Sequence, residues 1–223
     1  MCTITWFAST QGYDVFFNRD ELNSRQRAVP PRLQQQQDIS YLAPTDPDGG
    51  GTWISVNQFG LTLSLLNNYH AATQFSTHNR TSRGLLVKQL AISNGVEQLA
   101  NQLQALDLNN FQPFDLLVFS PGQPPELFAW DGLKLNCRPG PKPPFTSSSF
   151  KTDEVIRNRL SQLSGAQPLS PELLLRFHTS HEPSKSAYSI CMHRADAGTV
   201  SLSHIKVNRE LALFRYWDGP PCS

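Results

Sequence analysis

The chain has no apolar run long enough to span a bilayer. It also has almost no charge imbalance: 19 Lys and Arg stand against 18 Asp and Glu, for a net charge of +1. Without a basic excess there is no electrostatic footprint for a phosphate backbone, so nucleic acid is excluded as an expected partner. The chain start lacks the charged opening and apolar stretch of a secretory signal. Cys2, Cys137, Cys191 and Cys222 are too far apart to form a CxxC or CxxH pair, so no zinc motif is visible and neither a metal nor a cofactor is expected. Nothing points to an oxidising compartment. The sequon Asn79-Arg80-Thr81 therefore carries no weight, and the expected location is cytoplasmic. GxSxG, HExxH, Walker and GxGxxG patterns are all missing, which leaves serine hydrolase, zincin and nucleotide-binding chemistries without a motif.

What is present suits one domain over residues 1–223, with 39% hydrophobic and 17% charged residues. Cys2 to Ala8 and Tyr13 to Asn18 have strand composition and flank the turn-like Ser9-Thr10-Gln11-Gly12. A second hairpin is expected from Trp53 to Asn57 and Gly60 to Leu66, preceded by the bend-prone Asp48 to Gly51. Gln34 to Gln37 reads as a loop tip. Apolar spacing predicts two helices between Ser82 and Leu106, divided at Asn94-Gly95, and two more at Asp153 to Leu163 and Ser170 to His178. Strands are expected at Phe114 to Ser120, at LFAWDG, near LKLNC, at YSICMH, at TVSLSHIKV and at LALFRYW. Neighbouring strands are mostly joined by short turns, so a layered α+β architecture is expected over an alternating βαβ series.

The first hairpin yields a contact. A turn centred between Thr10 and Gln11 pairs residues whose numbers sum to 21, setting Phe7 against Asp14, Thr5 against Phe16 and Cys2 against Arg19. The NRDE segment (Asn18 to Glu21) is thereby carried to the chain start. A guanidinium beside a thiol lowers its pKa from about 8.5. Removal of Met1 would place an α-amine, with a pKa near ~8, on the same residue as the thiol. Nucleophile and base would then share one residue, with Asp20 orienting the amine. In the second hairpin, sums near 117 place Asn67 opposite Gly49 to Gly51, where its amide is a candidate oxyanion donor; Asn68 is the alternative.

Blander readings stand beside these. Arg19 and Asp20 suit a structural ion pair, the GGTW glycines suit a tight turn, and Asn67 suits a loop cap. On a strand, Cys191 and His193 would share a face, but two residues do not make a metal site, and a core cysteine beside a satisfied histidine is the expectation. His178 and His181 read as surface groups near a helix end.

MCTITW, NRDE, GGTW (Gly50 to Trp53), the LLNNY segment and SRG (Ser82 to Gly84) together resemble the NRDE family, the family of transport and Golgi organization protein two. That family in turn resembles N-terminal nucleophile hydrolases of the choloylglycine and penicillin V acylase type. The resemblance implies a four-layer αββα sandwich and cleavage of a non-peptide carbon–nitrogen amide bond by an N-terminal cysteine. Carried over to this chain, Cys2 is the nucleophile, Arg19 and Asp20 approximate the charged pair of the second strand, and Asn67 supplies the oxyanion hole. Ser148, within Phe145 to Ser149, stands where those hydrolases have a later asparagine, and only Lys185 lies near the position of their late arginine. Asn18, Trp53 and Asn68 complete the candidate substrate-binding set. The implied partner is a small-molecule amide or acyl substrate. The alternative is a non-catalytic carrier that holds haem or an acyl lipid in the same pocket, as animal members of the family are associated with haem or lipid handling.

Overall fold

The computed structural model describes residues 1–72, 81–165 and 168–223; Asn79 and Arg80 of the sequon lie outside them. Its strands are β1 (Cys2–Ser9), β2 (Gly12–Leu22), β3 (Val29–Gln36), β4 (Ile39–Thr45), β5 (Ile54–Asn57), β6 (Thr62–Asn67), β7 (Phe114–Phe119), β8 (Glu126–Trp130), β9 (Leu135–Pro139), β10 (Phe145–Ser147), β11 (Ala197–Asn208) and β12 (Ala212–Asp218). Its α-helices are α1 (Tyr69–Ala72), α2 (Arg83–Leu90), α3 (Val96–Ala105), α4 (Thr152–Leu163) and α5 (Pro171–Thr179). The strands form two antiparallel sheets, one ordered β10-β1-β2-β11-β12 and the other β3-β4-β5-β6-β7-β8-β9.

Strand alternation builds the layers, because successive side chains point to opposite faces. Ile4, Trp6, Val15 and Phe17 of the first sheet meet Ile54, Val56, Leu66, Leu117 and Phe119 of the second, forming the layer between sheets. Their alternates face outward. Leu63, Leu65, Leu116 and Val118 pack under α2 and α3 through Leu86, Leu90, Leu99 and Leu103. Phe16 and Leu202 pack under α4 and α5 through Leu163, Leu174 and Phe177. The arrangement is the expected αββα sandwich.

The first hairpin has the expected register: Cys2 opposes Arg19, Thr5 opposes Phe16 and Phe7 opposes Asp14. The helices also form where the apolar period places them. Three expectations fail. Gln34 to Gln36 belong to β3, and only Gln37 and Asp38, both with positive φ, make the turn. β3 is a sheet edge, the position that tolerates the two prolines and the glutamines that mask its strand character. Tyr188 to His193 is no strand; among the described residues its one bridge is the antiparallel pairing of His193 with Gly198. The burial of Ile190, Cys191 and Met192 accounts for its apolar composition.

The third concerns the second hairpin, whose ladder pairs Ile54 with Ser64 and Val56 with Thr62, one residue from the expected sum. It stops short of the glycines. Gly49 to Gly51 instead close a turn on Asp46, with Gly50 N–H donating to Asp46 O at 2.8 Å and Asp46 N–H to Gly51 O at 2.9 Å. Asn67 pairs across to Phe114 on β7. Among the described residues, no helix is long and apolar enough to cross a membrane.

Candidate functional site

The chain start is stitched to the NRDE segment. Asp20 N–H donates to Met1 O at 3.0 Å and the Met1 ammonium donates to Asp20 O at 3.1 Å. Cys2 and Arg19 therefore form the next, non-hydrogen-bonded pair, the kind in which opposed side chains come closest. Both face the inter-sheet layer at its rim, where a cavity of about 430 Å³ is lined by Met1, Cys2, Arg19, Trp53, Asn67 and Arg83.

The Arg19 guanidinium does not end on the thiol. It lies 4.4 Å over the Trp53 ring, with Glu21 at 3.4 Å and Asp46 at 3.6 Å. Trp53 is thus the floor beneath a cation. Arg25 bridges the same two carboxylates, closing one side of the cavity with alternating charge. The expected lowering of the Cys2 pKa by Arg19 is not what this environment produces. Burial pushes the thiol up, against the pull of the neighbouring ammonium and the Asp20 N–H. The Met1 ammonium is held above its ordinary value: burial acts to lower it, but Cys2, Tyr69, Asp20 and Glu21 outweigh that. The arginine that senses the thiol is Arg83, at the start of α2. Its pKa is lowered by burial and supported by Tyr69 and Cys2, and its Nη1 donates to Pro113 O at 2.9 Å.

Asp20 and Asn18 alternate with Arg19 and so face the helix layer. Both Asn18 contacts come from its amide nitrogen, to His178 O at 2.9 Å and Ile190 O at 3.1 Å, so its side chain bonds within the helix layer and does not line the Cys2 cavity. The fully buried Asp20 carboxylate accepts from Arg159 Nη1 at 3.1 Å and Thr199 Oγ1 at 2.7 Å, so it reaches the chain start through its main chain and not, as expected, by its side chain. Arg159 Nη1 also donates to Thr3 Oγ1 at 2.6 Å and Thr146 Oγ1 at 3.3 Å. Thr146 in turn donates to Cys2 O at 2.9 Å. A buried ionic network therefore backs the strand end that carries Cys2.

Asn67 shares the cavity with Cys2, and its Nδ2 donates to Tyr69 Oη at 2.9 Å. Asn68 caps the short α1, its Oδ1 accepting from Ala71 N–H at 3.1 Å. Asn67, Asn68 and Tyr69 also border a second cavity of about 390 Å³, whose far wall includes Phe145, Ile156 and Leu160. Ser148 lies on that side, 2.8 Å from Met1 Sδ and donating to Phe150 O at 2.6 Å. Met1 thus stands where the two cavities approach each other, directly before Cys2.

Arg83, Tyr69, Arg159 and Thr199 were not anticipated. Arg83 lay within the SRG motif and Tyr69 within LLNNY. Arg159 had a signal too: it falls on the buried stripe Val155, Arg159, Leu163 of α4, where an arginine needs a partner. His178, expected at the surface, is fully buried; burial, with Arg159 and His204, lowers its pKa to about 3, and its Nε2 meets Thr5 Oγ1 at 2.9 Å.

The family profile described as Transport and Golgi organisation 2 matches residues 1–136, which include Cys2, NRDE, GGTW, Asn67 and SRG. Comparison with curated proteins finds no match. Among solved structures, a mutant conjugated bile acid hydrolase from Clostridium perfringens aligns with a TM-score of 0.55 at 13% identity, over 98% of this chain and 92% of that one. A Caenorhabditis elegans N-acylethanolamine-hydrolyzing acid amidase ortholog aligns at 0.58 and 10% identity, over 92% of both chains. Penicillin V acylase from Agrobacterium tumefaciens aligns at 0.51 and 12% identity, over 97% of this chain and 86% of that one. At such identities the likeness is one of fold: an N-terminal nucleophile hydrolase-like sandwich.

Proposed function

The chain belongs to the Transport and Golgi organisation 2 family, and on the geometry of its first strand we propose that it hydrolyses a non-peptide carbon–nitrogen amide bond with Cys2 as nucleophile. The observation that carries this reading is the position of Cys2, one residue from the chain start, in a charged cavity that shares Asn67 and Tyr69 with a more apolar one. An amide with a polar amine portion and an apolar acyl portion suits that pair of spaces.

Removal of Met1 frees the Cys2 α-amine and opens the space held by the Met1 side chain. The amine takes the thiol proton, and the thiolate attacks the amide carbonyl to give a tetrahedral intermediate. The Asn67 Nδ2 donates to the oxyanion. The ammonium returns its proton to the leaving amine as the carbon–nitrogen bond breaks, leaving an acyl thioester on Cys2. Water, deprotonated by the same amine, releases the carboxylic acid and restores the thiol. Arg83 offers a positive group to the polar end of the substrate opposite the alternating charges of Arg19, Glu21, Arg25 and Asp46, and the Asp20–Arg159 network holds the strand end in place. Structural neighbours named as a conjugated bile acid hydrolase and an N-acylethanolamine-hydrolyzing acid amidase support the reading.

A panel of N-acyl amides with a fluorogenic leaving amine tests it, using protein free of Met1 and its Cys2→Ser variant, with haem and fatty-acid binding measured alongside. Hydrolysis that falls at least about 100-fold in Cys2→Ser is expected. Turnover that survives the substitution overturns the assignment. Ligand binding that depends on Cys2 without any turnover would make the protein a carrier.

A further inference from the structure

Apart from the residues that line the Cys2 cavity, four donor atoms from three separate segments converge. His181 follows α5, Cys191 and His193 lie in the irregular segment before β11, and Cys222 follows β12. Their ligand atoms all lie within 4.8 Å of one another. His193 Nε2 is 3.1 Å from His181 Nε2, 3.6 Å from Cys191 Sγ and 3.5 Å from Cys222 Sγ. We propose that His181, Cys191, His193 and Cys222 form a closed tetrahedral site for one divalent cation of the zinc class.

The spacing has a physical meaning. Zinc–sulfur bonds of about 2.3 Å and zinc–nitrogen bonds of about 2.0–2.1 Å, set at tetrahedral angles, separate sulfur from nitrogen by about 3.6 Å and nitrogen from nitrogen by about 3.3 Å. The two sulfur–nitrogen distances match, and the nitrogen pair is a few tenths of an ångström shorter. Two thiols and two imidazoles form the donor set that selects a borderline-soft ion in tetrahedral geometry. Both cysteines are free thiols. All four positions are filled by protein, which marks a structural site rather than a catalytic one with an open position.

The main chain already prepares this arrangement. Cys191 N–H donates to Ser180 O at 3.0 Å and His193 N–H to Ser186 O at 3.1 Å, and His193 makes an antiparallel bridge with Gly198 of β11, so the loop is held from both sides. Between the two ligands, Met192 N–H donates to Thr199 Oγ1 at 2.7 Å, and that hydroxyl donates to Asp20 Oδ1 at 2.7 Å. An ion here would clip the segment after β12 to the loop that buttresses Asp20. The site is independent of any amide chemistry at Cys2. No local spacing reveals it, because its members come from residues 181, 191, 193 and 222.

The test uses the full-length chain, stripped by a chelator and reloaded with zinc or cobalt(II). About one ion per chain by elemental analysis is expected, with the visible bands of tetrahedral cobalt and the near-ultraviolet charge transfer of thiolate ligation. Zinc affinity should fall at least about 100-fold in Cys222→Ser and in His181→Gln, while Cys137→Ser retains it. Zinc should also raise the melting temperature of the parent chain by about 3 °C or more and leave that of Cys222→Ser unchanged. A parent chain that takes up no ion overturns the proposal. So do octahedral cobalt bands, affinity unchanged in both ligand variants, or a Cys191–Cys222 disulfide in the freshly purified chain. Two ligand variants are used because loss of folding in one, seen by circular dichroism, leaves the other to decide.

Discussion

One peptide bond separates Cys2 from the status of a chain terminus, and its environment makes that bond decisive. Burial raises the thiol, so the form retaining Met1 should react slowly with an acyl electrophile at neutral pH and faster as pH rises. The form lacking Met1, with an amine on the same residue, should be labelled faster at pH 7; equal rates for the two forms, followed by mass spectrometry, would remove the amine from the mechanism. Asp20 and Arg159 make the opposite kind of claim, since they act behind the site. Arg159→Ala should cost about 3–5 kcal/mol in denaturant unfolding by stranding a buried carboxylate. The double variant Asp20→Asn with Arg159→Met should recover much of this, because Arg159 Nε and Nη2 have no partner among the described residues. Asp115, beside the second cavity, has its pKa raised from 3.8 to about 6, by burial above all, against Arg138 and His70. The folded chain therefore keeps a proton that the unfolded chain has released, and stability falls as pH rises through this window. Two units correspond to roughly 3 kcal/mol, lowered to about 1–2 by partial exposure. Asp115→Asn should stabilise by that amount at pH 7 and by nothing below about pH 4, as read from unfolding curves at several pH values.

At the scale of elements, strand alternation gives the NRDE tetrad its meaning. Arg19 and Glu21 belong to the cavity, whereas Asn18 and Asp20 belong to the helix layer. Hairpin counting could locate Cys2 opposite Arg19 because an eight-residue strand and a short turn settle that register locally. It could not say that the Arg19 guanidinium would turn to Trp53, since Trp53 is the residue just before β5 of the other sheet. The same limit hid the second sheet's edge. Val29 to Gln36 has no strand composition, and it is paired because β4 offers it an edge. The GGTW and SRG motifs explain each other: a Cβ on Gly51 would stand 2.2 Å from the Gly84 carbonyl carbon, and Thr52 N–H donates to Gly84 O at 3.0 Å. These glycines let β5 approach the start of α2 and so bring Arg83 to the cavity. Gly51→Ala should cost about 1–3 kcal/mol by overpacking, whereas Gly95→Ala, with nothing within 4 Å of the added carbon, should change unfolding by under about 0.5 kcal/mol.

At the scale of the molecule, the family match and the candidate motifs fill residues 1–136, while the groups that brace them come from beyond: Thr146, Ser148, Arg159 and Thr199. Asp20 and Arg159 are 139 positions apart, so only the folded sheet and helix could bring them together. A layered α+β architecture was legible because strands and helices leave periods of 2 and 3.6 in the sequence, whereas the αββα order of the layers was implied by the family resemblance. The helix-layer contacts leave none. The central claim, that this fold presents Cys2 as an N-terminal nucleophile, is tested most directly by tandem mass spectrometry of the purified chain after a brief exposure to an acyl electrophile. The expected result is a chain lacking Met1, acylated on the Cys2 sulfur, with Cys137, Cys191 and Cys222 unmodified. A chain that keeps Met1, or carries label evenly over its four cysteines, would contradict it.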